Sequence, residues 1–510
     1  MKVFQQIKIF SLVIVFFIPV LAFCQTHKKT PNLDSLQSYI SKAFDDFRLN
    51  GLSVMIIQDD SIVYDQNWGV AGKGKMVTSS SVYNIASCTK AFTASAMAQL
   101  VNNHQLRWDD LVIDYLPEFK LADPYITTHL TIEDLLTHRS GLGTFYGDLL
   151  WYETNRSTDD VIRRLQYLPI TNRFRDQFGY QNTMYMVAGK VLEKVSGESW
   201  DDYIKENLLQ PLKMSSTKVN GSELSKNQEI AYPMIDGEVS RISMMKSHAA
   251  ASLFSSTNDL SRWVRMLLNE GILEGDTILS SAVVEDMMAS RTIKPIRGLR
   301  KMSGAQFNSY ALGWNTWDHQ GKKVVEHAGG MPGYISQISL VPQEHLGIII
   351  LTNTLSSLPT ALEMYILDLY LKDQTTDWAS MFMNFKNMGE KADQEELAER
   401  EKSRIRGTQP SLPLENYVGV YEDKVYGKAE VSMKDGQLYM VFLPTKDVFY
   451  STMEHWHYDT FKVHFADAFL PAGYITFDFD SKRNIVGFKI DLKSNDFHFS
   501  NLNFKKLRKI

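Results

Sequence analysis

Hydrophobic positions along the chain fall into short strand-like runs at both ends of its first three-quarters, with helical runs between them. Leu52–Ile57 and Ser61–Tyr64, joined by Gln58-Asp59-Asp60, predict a strand hairpin. Ala91–Val101 is alanine-rich and apolar throughout, the pattern of a buried helix, and Met184–Val195 predicts a second helix stopped by Gly197. Ile335–Val341 and Gly347–Thr352, linked through Pro342-Gln343-Glu344-His345, predict another hairpin. Strands at both ends with helices between them place residues 30–375 in the α+β class, as an antiparallel sheet flanked by helices plus a helical subdomain.

The pattern then changes. From about 385 to 408 the chain is charged, helix-prone and poor in large apolar residues, and it ends at Gly407 and Pro410; residues 376–408 read as a solvated helical linker. Residues 409–510 are rich in Tyr, Phe and Val. Short alternating runs at Lys428–Met433, Gln437–Phe442 and Ile475–Phe479, with turn signals at Asp435-Gly436 and Asp480–Asn484, predict a small all-β domain.

At the other end, Lys2 and Lys8 precede an apolar run from Ile9 to Phe23, too short for a membrane span of ~20 residues. With Ala22 and Cys24 at the −3 and −1 positions of a cut before Gln25, residues 1–24 read as a secretory signal peptide and the chain as periplasmic or secreted. The rival reading is a lipoprotein acylated on Cys24, although Phe23 sits where such a site takes a small residue. No other stretch is long and apolar enough to span a bilayer.

Composition narrows the function by exclusion. The 510 residues are 44% hydrophobic and 22% charged, ordinary globular usage. Lys plus Arg number 54 against 59 Asp plus Glu, a net charge of −5 with no basic excess to attract nucleic acid. Two cysteines exclude a disulfide scaffold and a cysteine-rich zinc site.

Three short patterns carry chemistry. In Ser87-Cys88-Thr89-Lys90, residues three apart share a helix face, so the Lys90 amine lies beside the Ser87 hydroxyl. A serine needs a neighbouring base to become a nucleophile, and a lysine desolvated among apolar neighbours has a lowered pKa and can serve. In Phe178-Gly179-Tyr180-Gln181-Asn182, an extended backbone would turn Tyr180 and Asn182 the same way, a phenol for proton transfer and an amide to grip substrate. In His327-Ala328-Gly329-Gly330, the glycines admit a substrate backbone at a strand edge, with His327 pointing into the same cleft.

In the order Ser-x-x-Lys, Tyr-x-Asn, His-x-Gly, these patterns make the sequence resemble the penicillin-recognising serine hydrolases: class C β-lactamases, DD-peptidases, D-aminopeptidases and related esterases (the S12-like peptidases). Leu135-Leu136-Thr137-His138-Arg139-Ser140-Gly141-Leu142, the stretch Val191–Gly197 with Trp200 and Pro211-Leu212-Lys213-Met214, then Gly313-Trp314 and Leu340-Val341-Pro342 fit the same family. The resemblance covers about 35–375. The tail, through Tyr417–Tyr421 and Glu454–Asp459, resembles the β-domain often appended to such hydrolases.

The resemblance implies that Ser87 forms an acyl-enzyme, with Lys90 and Tyr180 sharing the general-base work, a division disputed in this superfamily. It implies that Asn182 holds the substrate's acyl amide, that His327, Gly329 and Gly330 bind substrate, and that the Ser87 and Gly330 N–H groups form the oxyanion hole. The chemistry needs no metal or cofactor. The expected substrates are small molecules or peptides cleaved at an amide, peptide or ester bond. A class C-like β-lactamase and a non-catalytic, penicillin-binding-like interaction protein are the alternatives. β-Lactamases usually carry Lys where this chain has His327, which unperturbed titrates near pH ~6.5 and offers only partial charge at neutrality.

Other signals are set aside. Gly69–Lys75 has phosphate-loop spacing, but Met76 stands where Ser or Thr must hold magnesium, and the segment reads as a turn. No Gly-x-Ser-x-Gly or His-Glu-x-x-His occurs. His455 and His457 read as packing residues, His138 as a structural residue beside the site, and the basic end Lys505–Lys509 as solvated.

Overall fold

Strands with apolar residues on both faces need cover on both faces, and this requirement shapes the first domain. The computed structural model describes residues 31–243 and 247–507; the signal sequence read at 1–24 lies outside them. A nine-stranded antiparallel sheet runs in the spatial order Thr292–Ile293, Asn308–Tyr310, Asn315–His319, Lys322–Met331, Tyr334–Val341, Leu346–Thr352, Gly51–Gln58, Ser61–Gly72, Lys75–Met76. Leu52, Val54 and Ile56 face Leu36, Ile40 and Leu362 of helices Leu33–Phe47 and Leu358–Leu371. Met55, Ile57, Ile349 and Leu351 face the opposite way, into the core shared with Phe92, Trp263 and Val264 of helices Thr89–Asn102 and Thr257–Leu268. The domain is thus of the α+β class, with a further helical region over residues 112–209.

The second strand extends to Gly72, well past Tyr64, because its outer positions are tolerated in solvent beside the short return strand Lys75–Met76. Gly69–Lys75 is thus the end of that strand and its turn. The helix Asn182–Ser196 ends on Gly197, whose φ of 78° places it in the left-handed region that glycine enters without strain.

Helix Trp378–Ser403 packs Trp378 and Ala379 against helices Leu358–Leu371 and Leu33–Phe47, through Asp368 and Tyr39, and leaves most of its remainder in solvent. It leads to a closed eight-stranded antiparallel barrel, Gly419–Asp423 to Asn503–Lys506, whose first and last strands pair. Closure removes the free edges that a small sheet would otherwise expose. The interior is filled with aromatic side chains, including Tyr417, Tyr421, Phe442, Phe477, Phe488 and Phe504. His455 donates to the Tyr458 carbonyl and His457 accepts from the Ile405 N–H, so each histidine has its own partner. Among the described residues, no helix is long and apolar enough to cross a membrane.

Candidate active site

Ser87 lies in the one-turn 3₁₀ helix Ala86–Cys88, which runs directly into helix Thr89–Asn102. Ala86 has a φ of 46°, in the left-handed region, which costs a non-glycine residue about 1–3 kcal/mol. Its N–H is held by Asn84 Oδ1 at 2.7 Å, and the Ile85 N–H by the Leu253 carbonyl at 2.9 Å. This bend presents Ser87, half-buried, at the head of a helix that is buried almost all round.

Lys90 is wholly buried, and its Nζ has three acceptors: Ser87 Oγ at 3.0 Å, Asn182 Oδ1 at 2.6 Å and the Ala250 carbonyl at 2.9 Å. Burial pulls its pKa down to about 7, against the opposing pull of Asp148. The charged and neutral forms are therefore both populated near neutral pH. As an ammonium it satisfies all three acceptors. As an amine it can keep two and turn its lone pair to the Ser87 O–H.

Tyr180 stands with its ring 4.8 Å from Lys90 Nζ. Burial raises its pKa well above 10, only partly offset by a hydrogen bond with Ser87, so it remains a phenol. Asn182 opens helix Asn182–Ser196, and extended Gln181 (φ −134°, ψ 113°) separates it from Tyr180 and brings both to Lys90. Asn182 is only 6% exposed and committed at both ends, its Oδ1 accepting from Lys90 and its Nδ2 donating to Asp148 Oδ2 at 2.7 Å.

Strand Lys322–Met331 forms the opposite wall. Its first half pairs with Asn315–His319, but from His327 onward it pairs only with Tyr334–Ile338, leaving the other backbone edge unpaired by that strand. A Cβ on Gly329 would collide with the Ile85 carbonyl and lie 2.9 Å from the Ser87 nitrogen, so glycine is what lets this strand meet the serine turn. Gly330 is exposed beside it. Cys88 ties the two pieces together, its Sγ donating to the His327 carbonyl at 3.1 Å; burial pushes its thiol up to about 12.

His327 departs from the picture of a partly charged ligand. It is 2% exposed, its Nδ1–H donates to the Ala328 carbonyl at 2.6 Å, and its Nε2 accepts from the Tyr310 hydroxyl at 2.9 Å. Burial and the Lys90 charge push its pKa down to about 3, so the ring is neutral.

The comparisons fit this arrangement. A family model described as Beta-lactamase matches residues 36–371. The chain belongs to the β-lactamase family. A second model, described as a domain of unknown function (DUF3471), matches residues 403–506, which hold the barrel. Among curated relatives of this β-lactamase-family chain, unguisins hydrolase ungD' of Aspergillus campestris is 26% identical over 438 residues, covering 80% of this chain and 79% of its own length. Unguisins hydrolase ungD of Aspergillus violaceofuscus is 25% identical over 457 residues, 80% of this chain and 78% of its own. Protein flp of Staphylococcus aureus is 27% identical over 313 residues, 59% of each chain. Among solved structures, the octameric penicillin-binding protein homologue from Pyrococcus abyssi has a TM-score of 0.60 at 23% identity, over 93% of this chain and all of that one, a likeness of fold.

The structure also brings to the site of this β-lactamase-family chain residues that the sequence patterns did not mark. Tyr310 is 0% exposed, and its hydroxyl serves His327. His138, read from the sequence as a structural residue beside the site, stands there: it packs its ring 4.3 Å from Tyr180 and 4.5 Å from Tyr310, and accepts the Gln181 N–H at 3.0 Å. Lys294 lies over Phe178 at 4.7 Å and donates to Asn315 Oδ1; burial lowers its pKa to about 8. Asp148, 3% exposed, holds Asn182; a lone acid in Tyr146-Gly147-Asp148-Leu149-Leu150-Trp151 was its only signal.

The two buried histidines predict acid sensitivity. Burial drives His138 well below 6.5 and His327 to about 3, whereas in the unfolded chain both titrate near 6.5. Below that value the unfolded state binds protons that the folded state refuses, so stability is full above about 6.5 and falls as the pH drops toward about 3. His327 alone should cost about 2–3 kcal/mol by about pH 4.5. The thermal midpoint should fall across this window, and less steeply in His327→Gln; an unchanged slope in that variant would refute the neutral assignment.

Proposed function

We propose that the chain is an exported serine hydrolase that cleaves amide, peptide or ester bonds through an acyl-enzyme on Ser87. The observation that carries this reading is the Lys90 amine, 3.0 Å from Ser87 Oγ and poised by burial near neutrality. Neutral Lys90 takes the hydroxyl proton as Oγ attacks the carbonyl carbon. The tetrahedral oxyanion is met by the backbone N–H groups of Ser87 and Gly330; one such donor is typically worth ~10²–10³ in rate. Tyr180, held as a phenol, passes its proton to the departing nitrogen or oxygen and is restored by the Lys90 ammonium. Water then enters by the same route in reverse and releases the acyl group. The raised pKa of Tyr180 and the lowered pKa of Lys90 support a relay role for the phenol and the base role for the amine.

An extended substrate fits along the backbone edge that begins at His327, and Asn182, whose Nδ2 has a second proton beside the one given to Asp148, is the group we assign to its acyl amide. Neutral His327 provides no cation for a drug carboxylate, which favours the peptidase or esterase reading over a β-lactamase. The names of the two fungal relatives, as hydrolases of unguisins, also point to hydrolysis. The test is to incubate the purified protein with a fluorescent penicillin, a cephalosporin, a D-Ala-D-Ala peptide and a short-chain aryl ester, and to map any covalent adduct. An adduct on Ser87 with turnover of the peptide or ester is expected. A label on another residue would sink the site assignment, and folded protein inert to all four would favour an interaction protein.

A further inference from the structure

The chemistry proposed for Ser87 leaves two features without a task, the C-terminal barrel and the buried acid Asp148. The segment that carries Asp148 and meets the barrel, residues 143–156, has little regular structure beyond the single turn Asp148–Leu150. Its place must therefore come from what grips it on either side.

On the catalytic side, the Tyr180 N–H donates to Thr144 Oγ1 at 3.2 Å, and the Phe145 N–H donates to the Tyr180 carbonyl at 2.8 Å. Asp148 accepts from Asn182 Nδ2 at 2.7 Å through one oxygen and from Trp151 Nε1 at 2.9 Å through the other. On the barrel side, His498 Nε2 donates to the Thr144 carbonyl at 2.8 Å, with its ring 4.7 Å from Tyr146. Tyr152 donates to Asp467 Oδ2 at 2.8 Å and packs its ring 4.6 Å from Phe497. The Asn155 N–H reaches the Pro444 carbonyl at 2.9 Å, and Arg156 reaches the Tyr426 carbonyl. Thr144 carries a bond from the Tyr180 backbone on its hydroxyl and one from the barrel on its carbonyl.

We propose that the barrel is a clamp for the active site: it fixes residues 143–156, and through them the position of Asp148 against Asn182 and Lys90. Asp148 is then a positioning residue. Its carboxyl fixes which end of the Asn182 amide faces Lys90, and so where the amine stands relative to Ser87. The charged groups that act on Asp148 are Lys90 from the nucleophile helix and Asp496 from the barrel; burial, helped slightly by Asp496, raises its carboxyl to about 7. The inference rests on the Ser87–Lys90 reading and extends it to the C-terminal barrel.

The test uses the full-length protein and the rate of Ser87 acylation by an aryl ester. His498→Ala and Tyr152→Phe each remove one barrel contact without altering a charge that acts on Lys90. Each is expected to slow acylation about 3–10-fold with a wild-type thermal midpoint, since misplacement far from the reacting atoms suffices to lower a rate. Asp148→Asn should slow it about 10–100-fold and move the acidic limb of the pH profile downward, because the ammonium form of Lys90 loses its nearby carboxylate. In the Asp148→Asn background, His498→Ala should cost less than about 2-fold, the mark of groups acting through one route. Lys493→Ala, which unties the barrel only from Asp393 and Glu396 of the long helix, should leave the rate unchanged. Full activity in both interface variants, multiplicative losses with Asp148→Asn, an unmoved acidic limb, or an equal loss in Lys493→Ala would each overturn the clamp. Wild-type protein labelled elsewhere than Ser87 would instead overturn the reading beneath it.

Discussion

Ser87→Ala is expected to form no acyl adduct and to lose at least ~10³ of kcat/KM, with the fold intact. The hydroxyl is half-buried and engaged by the Lys90 amine and the Tyr180 phenol. Removing it leaves Lys90 bonded to Asn182 Oδ1 and the Ala250 carbonyl, and it removes no apolar contact that the Ala86–Cys88 turn needs. The thermal midpoint should therefore stay within a few degrees of wild type. Any residual rate would report what the two backbone N–H groups and substrate binding supply by themselves. The measurement pairs intact-mass detection of the adduct with steady-state turnover of the same ester. Persistence of the adduct in Ser87→Ala would place the nucleophile elsewhere.

Lys90→Met should be nearly as severe in rate, a loss of about 10²–10⁴ for deleting a general base. Lys90→Arg should lose as much, because a guanidinium keeps its proton at any working pH. This shared failure separates base catalysis from a need for positive charge. The wild-type rate should rise with pH through about 7 as the amine gives up its proton, a titration shared with Asp148, which also stands near 7. The stability arithmetic has a definite sign. Lys90 is lowered from 10.5 to about 7, so between these values the unfolded chain holds a proton that the folded chain has released. Stability contributed by this group is present at high pH and lost as pH falls toward 7; Lys90→Met should abolish that slope. A Lys90→Met protein that keeps full acylation, or an Arg variant that rescues it, would contradict the assignment.

Several of these features were legible in the residues alone. The three-residue spacing of Ser87 and Lys90 survives as a 3.0 Å contact because a helical turn dictates it. The two hairpins, over Leu52–Tyr64 and Ile335–Thr352, follow from their apolar runs and the turn residues between them, and the helix end follows from the glycine at 197. The charge of His327 was not legible. Imidazole alone suggests partial protonation, and only burial beside Tyr310, 17 positions away in sequence, makes it neutral. Asp148 and Lys294 reach the site through tertiary packing that no local period encodes. Closure of the barrel depends on pairing Tyr421-Glu422 with Lys505-Lys506, strands about 80 residues apart, and the basic end read as solvated supplies part of that last strand.

Cys88 adjoins the proposed nucleophile Ser87 in sequence yet is sealed from it in chemistry. Its thiol is 1% exposed, donates to the His327 carbonyl and is pushed up to about 12, so almost no thiolate exists at neutral pH. Peroxide and alkylating reagents attack the thiolate. Maleimides should therefore leave the enzyme active, and a covalent mark within the peptide Ser87-Cys88 belongs to oxygen rather than sulfur. A cysteine introduced on the barrel surface would be the reactive thiol among the described residues, available to carry a reporter without touching the catalytic turn.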